Sequence, residues 1–324
     1  MKILVTGGAG FIGSHLCTAL VKAGHDVFCL DNFYTSIRSN VSHLESSENF
    51  RFVSADVEDG RNLELLACTV FPGLSQIFHL ACPASPIHYQ RDPVKTMMTA
   101  FMGTKNVFDI ALRENARVLI ASTSEIYGDP EVHPQRESYF GNVNTLGPRA
   151  CYDEGKRAAE ALAYSYATSR GLDVKIARLF NTYGPGMAFE DGRLIPNFMG
   201  RACRGEALEV NGDGSQTRSL CYVADMIEAL QLLMASHRTA PPVEAVNLGN
   251  PDERSVLDIA TDIAHLFQPY PGIVHMPALQ DDPKQRNPDI SRARALLGWE
   301  PKVTYAEGLL MTVDWFKHTV RDRT

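Results

Sequence analysis

No apolar run in this chain is long enough to cross a bilayer, and the first strand pattern begins at Lys2, leaving no room for a secretory leader. A soluble, cytoplasmic protein without a membrane partner is therefore expected. Positive charge is also in deficit. The 31 Lys and Arg against 38 Asp and Glu give a net charge of −7. Such a balance leaves no footprint for nucleic acid, so a polyanionic ligand needs a local basic pocket instead of a global field. The 7 cysteines are odd in number and scattered, with no C-x-x-C pair, which suits free thiols in a reducing compartment better than a disulfide framework. The 10 histidines form no H-x-x-x-H or Cys/His cluster, so no protein-held metal is expected. Internal repeats and low-complexity segments are absent as well. What is present is an ordinary globular composition, 44% hydrophobic and 21% charged, over 324 residues, enough for one large domain or two.

Short apolar runs recur at Ile3–Val5, Val27–Leu30, Phe50–Val53, Gln76–Leu80, Arg117–Ala121 and Val174–Ala177, mostly separated by helical patterns. Strands alternating with helices predict an α/β fold, a Rossmann-like doubly wound parallel sheet. One helix is well marked: Asp92 is its N-cap, Pro93 its first residue, and Val94, Met97, Met98, Phe101 and Met102 form an apolar stripe read as core or subunit interface. After Phe180, loops rich in Gly, Pro and Asn alternate with shorter elements. The expected division is a dinucleotide-binding domain over residues 1–180. Residues 181–324 form mainly a smaller substrate-binding lobe over the carboxyl ends of the strands, with about 220–248 returning to the first domain.

The first strand runs into Thr6-Gly7-Gly8-Ala9-Gly10-Phe11-Ile12-Gly13, a G-x-G-x-x-G match followed by a helix. Glycines let backbone approach a pyrophosphate, and the helix start supplies free N–H groups and the positive end of its dipole. Asp31 closes the second strand, as an acid that accepts hydrogen bonds from adenosine ribose hydroxyls and repels a 2′-phosphate. NAD is thus preferred over NADP. Gly7, Gly10, Phe11, Ile12, Gly13, Asp31 and its neighbour Asn32 form the candidate cofactor loop, with Asp56 and Val57 toward the adenine and Leu80 and Ala81 after the fourth strand.

Tyr152 and Lys156 lie four apart, which puts a phenol and an ammonium on one helical face. A Tyr-x-x-x-Lys pair alone is a weak signal. Here none of the other ten tyrosines has Lys four residues later, and the pair follows both the glycine loop and the strand end Ala121-Ser122-Thr123-Ser124-Glu125. A fixed cation favours the phenolate and lowers its pKa, so Tyr152 is expected to exchange a proton with a sugar hydroxyl while a nicotinamide takes the hydride.

Together these residues resemble the extended short-chain dehydrogenase/reductase family almost end to end. The segments His79–Pro86, Ser122–Pro134, Gly147–Arg157, Asp191–Arg193, Gly212–Arg218 and Asp281–Asp289 resemble its members that decarboxylate UDP-glucuronate. The resemblance implies three steps on bound NAD: oxidation at C4, loss of CO2 from the resulting β-keto acid, and return of hydride to give UDP-xylose. It implies Tyr152 as acid/base and Lys156 as its tuner and a ligand of the nicotinamide ribose. Thr123 becomes a donor to the C4 oxygen, and Ser124 and Glu125 face the C5 carboxylate and C5, with Glu125 or a water it orients delivering the C5 proton. It implies that Ser85, Tyr89, Asn181, Arg193, Gln216, Arg218, Tyr222 and Arg286 line the nucleotide-sugar site, Arg218 and Arg286 as guanidinium contacts and Tyr222 beside the uridine. A homodimer through the Asp92 and Tyr152 helices is implied too. Gly186 is a departure, because the family often has Arg there.

Neighbouring activities on the same scaffold compete with this reading. A 4,6-dehydratase carries an Asp where this chain has Ser124, and a 4-epimerase is not expected to carry the Pro83–Pro86 and Asp129–Pro134 signatures. A decarboxylase that releases the 4-keto pentose uses the same residues for its first two steps and stays open. So does a non-catalytic NAD-binding regulator, although such a protein would usually lose Tyr or Lys of the pair.

Overall fold

The computed structural model describes residues 1–237, 243–278 and 283–321. Asp281 and Asp282 of the last resembling segment, and 238–242 of the returning segment, lie outside the described residues.

Strands β1 (Lys2–Thr6), β2 (Asp26–Asp31), β3 (Phe50–Ser54), β4 (Gln76–His79), β5 (Arg117–Thr123) and β6 (Val174–Leu179) join a seventh strand, Ala245–Leu248, in one sheet. All of its pairings are parallel. This is the doubly wound α/β sheet expected. Its strands read as near-continuous apolar runs because helices cover both faces; Ile3, Leu4 and Val5 are all fully buried. From the central β1 the chain runs outward to β2 and β3, then crosses to β4 on the other side. Neighbouring loops diverge at that reversal and leave a crevice at the carboxyl ends of β1 and β4.

Helix α1 (Phe11–Lys22) follows β1 directly. The Asp92 helix begins as read from sequence, with the Asp92 carboxylate accepting the Lys95 N–H at 2.9 Å and Pro93 in the first turn. Its regular α-helical part ends at Met98 and a π-helical turn covers Thr99–Gly103. The apolar stripe is not core. Val94 is 72% exposed and Met97, Met98 and Phe101 are exposed as well, because this helix lies outside the Ala150–Arg170 helix and not against the sheet.

Beyond β6, the Val223–Ala235 helix packs on α1, β5 and β6, and Ala245–Leu248 extends the sheet. The remaining strands form two-stranded pairs: Thr182–Tyr183 with Cys221–Tyr222, Leu208–Asn211 with Ile273–Met276, and Thr217–Ser219 with Glu253–Ser255. Together with the Leu194–Cys203 helix they contribute residues to the cleft that the glycine loop enters.

Candidate active site

A cleft of about 680 Å³ runs across the carboxyl ends of the strands. Gly7, Gly10, Phe11, Ile12, Gly13, Asp31, Asn32, Asp56, Val57, Leu80 and Ala81 all line it. The loop between β1 and α1 needs its glycines. Gly7 has φ +68°, and a Cβ on Gly13 would lie 2.2 Å from the Gly7 carbonyl oxygen. Gly10 caps α1 without a side-chain hydrogen bond, so the first N–H groups of the helix are left for a ligand. The Asp31 carboxylate accepts the Ala9 N–H at 3.0 Å, the Phe33 N–H at 2.9 Å and the Ser36 hydroxyl at 2.8 Å, which fixes it against the loop with acceptor capacity to spare. Asp56 is held by the Asn32 amide at 3.0 Å and by Lys95 at 2.6 Å. A cradle that a Cβ would fill, an open helix start and a fixed acid fit a dinucleotide.

Tyr152, Lys156 and Thr123 meet at the centre of the cleft. The Tyr152 ring stacks on Tyr89, with centroids 5.2 Å apart and planes at 4°. Lys156 Nζ donates to the Ala121 carbonyl at 2.8 Å and lies 5.9 Å from the Tyr152 ring centroid. Burial opposes the expected lowering of the phenol pKa. Desolvation, above all, pushes Tyr152 above its ordinary value, with Cys82, Glu125 and Asp153 adding to the rise and the Thr123 hydroxyl opposing it. The physical reason is that a phenolate inside the protein gives up its hydration.

Beside this group lies a charge cluster. Glu125 Oε2 accepts from Arg149 Nη2 and, at 3.2 Å, from Arg286 Nη2, while Arg286 Nη1 donates to the Ser124 carbonyl at 2.5 Å. Burial pushes the Glu125 carboxyl up, but Arg286, Arg149 and Arg218 reverse this and hold it at about 2. It is an ionised, arginine-clamped carboxylate, which makes direct proton delivery by Glu125 the weaker of the two routes expected and favours a water it orients. Ser124 does not line the cleft. It is 1% exposed, with its carbonyl held by Arg286 beneath the surface that Thr123 and Glu125 present.

Ser85, Tyr89, Asn181, Arg193, Gln216, Arg218 and Arg286 all line the same cleft. The Ser85 and Tyr89 hydroxyls are buried without a partner among the described residues. Arg218 donates to the Thr217 and Pro283 carbonyls at 2.8 Å each. Arg193 pairs with Asp191, and the Gln216 amide donates to the Asn211 carbonyl at 2.9 Å. Tyr222 does not belong here. Its ring packs edge-on against Tyr183 and its hydroxyl contacts Sδ of the exposed Met311 at 3.6 Å, and it is not among the cleft-lining residues. Side chains that also line the cleft, Leu194, Phe198 and Asn211, went unassigned in the sequence, where the stretch beyond Phe180 read only as loops alternating with shorter elements. Arg149 was missed as a site residue although Gly147-Pro148-Arg149 had been singled out, because nothing local pairs it with Glu125, 24 residues away. Gly186 also lines the cleft, with φ +89°, a conformation that strains any side chain.

Residues 3–249 match the NAD dependent epimerase/dehydratase family, and the chain belongs to that family. Among curated proteins, UDP-glucuronic acid decarboxylase 1 of Danio rerio is 49% identical over 97% of this chain and 72% of its own length. UDP-glucuronic acid decarboxylase 6 of Arabidopsis thaliana is 48% identical over 98% of this chain and 89% of its own length. Among solved structures, UDP-glucuronic acid 4-epimerase from Bacillus cereus, in complex with UDP-glucuronic acid and NAD, superposes with a TM-score of 0.87 at 27% identity, covering 98% of this chain and 100% of that one.

Proposed function

We propose that this chain converts UDP-glucuronate to UDP-xylose and CO2 with NAD retained in the cleft. One observation carries the reading. A Tyr–Thr–Lys group beside a dinucleotide cradle adjoins a carboxylate clamped by arginines, and on a hexuronate the C4 hydroxyl and the C5 carboxylate are likewise neighbours. When bound, NAD supplies the hydride acceptor for C4 and gives the hydride back. Tyr152 takes the C4 hydroxyl proton as the phenolate, the form that the Lys156 cation beside it favours, and as the resulting phenol gives that proton back when the hydride returns. Once C4 is a ketone, the C5–carboxylate bond breaks and its electrons flow onto that oxygen. Tyr152, whose burial favours the neutral phenol, and Thr123 donate to the enolate. Glu125, held ionised, orients the water that protonates C5. Arg286 and Arg149 keep the acidic end of the sugar beside Glu125, while Arg218, Arg193, Gln216 and Asn181 serve the nucleotide diphosphate.

The division into residues 1–180 and mainly 181–324 is supported by the seventh strand lying beside β6 and by the small paired strands beyond it. A homodimer through the Asp92 and Tyr152 helices is supported by the exposed stripe at Val94, Met97, Met98 and Phe101. The seven free cysteines support a reducing, cytoplasmic setting.

The decisive experiment incubates purified protein with UDP-glucuronate, UDP-glucose and UDP-galactose without added NAD and identifies products by mass spectrometry and NMR. The expected result is CO2 and UDP-xylose from UDP-glucuronate alone. UDP-galacturonate would assign a 4-epimerase, an accumulating 4-keto pentose a truncated cycle, and no turnover with bound NAD a regulator.

A further inference from the structure

Asp153 follows Tyr152 directly and takes no part in the chemistry above. It is 6% exposed, and its Oδ1 has no hydrogen-bond partner among the described residues. Its Oδ2 lies 3.9 Å from Arg149 Nε, one helical turn back, and the same guanidinium reaches Glu125 through Nη2. Arg149 therefore stands between two carboxylates, one within ion-pair distance on its own helix and one, hydrogen-bonded, in the turn that follows β5. An ordinary i,i+4 pair at a helix start stands in water and is worth little; a buried carboxylate with an idle oxygen is a different object.

We infer that Asp153 is a positioning residue: it holds the Arg149 guanidinium across to Glu125 and thereby ties the end of β5 to the turn that carries Tyr152. The inference rests on the reading of the cleft given above. Without Asp153 the Arg149 side chain loses one of the carboxylates that set its rotamer, and Glu125 loses a fixed clamp. The groups that face Asp153 are Glu125 from the end of β5, Arg286 from the C-terminal segment, Tyr89 from the Pro86–Arg91 helix, and Arg149, Tyr152 and Glu154 from its own helix. Burial first, then Glu125, raises its carboxyl to about 7, against the pull of Arg149 and Arg286. The ionised form that grips Arg149 therefore prevails above that pH and is lost below it.

The test is a cycle of Asp153→Asn, Arg149→Lys and the double variant, each as NAD-loaded protein. It is read by denaturant unfolding and by turnover of UDP-glucuronate from pH 6 to 8. In unfolding, the two substitutions should be coupled by roughly tenfold in the equilibrium constant. In turnover, Asp153→Asn should lower kcat by about tenfold with a smaller change in KM. It should also flatten the rise of kcat with pH near 7, and the double variant should be no slower than Arg149→Lys. Additive unfolding effects, or a variant with the wild-type kcat and pH profile, overturn the inference. If the wild-type protein turns over no UDP-glucuronate, the functional reading fails on its own, and the unfolding cycle still decides whether Asp153 holds Arg149.

Discussion

Arg286→Met tests whether the charge cluster is a working part of the site or a strut. Arg286 is 1% exposed and makes two bonds, to the Ser124 carbonyl at 2.5 Å and to Glu125 at 3.2 Å. Methionine refills most of the volume but supplies no donor. Breaking a buried ion pair by removing one partner costs about 3–5 kcal/mol. Glu125 keeps Arg149, so the low end, about 3 kcal/mol, applies. With an unfolding entropy of about 2.1 cal/mol/K per residue, 3 kcal/mol lowers Tm by about 4 °C in a chain of 324 residues. The variant should therefore fold. The Glu125 carboxyl gives an independent handle. Its folded pKa, about 2, lies below its ordinary 4.5, so its contribution to stability is fully present above pH 4.5 and lost as pH falls toward 2. Removing Arg286, the foremost of the cations that hold it down, moves that loss to higher pH. The acid limb of a plot of Tm against pH should shift upward. If the cluster also handles the acidic end of the sugar, kcat/KM for UDP-glucuronate should fall by about 10³. The assays are scanning calorimetry over pH 3.5–7 and product analysis on the same samples. A variant that melts a few degrees lower yet keeps kcat/KM within about threefold of wild type would refute the reasoning, since Arg286 would then only brace the fold.

Other outcomes follow from particular contacts. Tyr152→Phe should cut CO2 release by about 10²–10⁴ while NAD remains bound, measured by product yield and cofactor absorbance; undiminished turnover refutes the acid/base role. Gly13→Ala drives a methyl group to 2.2 Å from the Gly7 carbonyl, so the protein should lose bound NAD on purification and about 1–3 kcal/mol of stability. Val94→Glu with Met97→Glu puts charge on the exposed stripe, and sedimentation should show a dimer for the wild type and a monomer for the pair; a monomeric wild type refutes the interface.

Much of this molecule was legible in one dimension. The buried strands announce themselves as apolar runs because a parallel sheet covered on both faces has no polar side to encode. The glycine loop is legible because backbone that must pass within a few ångströms of other backbone tolerates no side chain, as Gly13 against Gly7 illustrates. Tyr152 and Lys156 are legible because one helical turn fixes which residues share a face. What stayed hidden depends on distance along the chain and on burial. Arg286 meets Glu125 across 161 residues, and Arg149 meets it across 24. No local period encodes either pairing.

The amino-acid order by itself determined the strand and helix alternation, the dinucleotide loop and the phenol–ammonium pair, because each is set by short-range sterics and spacing. Packing alone decided the rest. It took Tyr222 out of the cleft lining and set Ser124 beneath the cleft, left the Met97 stripe in solvent, and buried Asp153 with one oxygen unpartnered among the described residues. It also set the protonation tendencies at the centre, raising the Tyr152 phenol and holding Glu125 ionised. Desolvation and charge pairing are properties of the surrounding volume, and that volume exists only once segments far apart in the chain have closed around these groups.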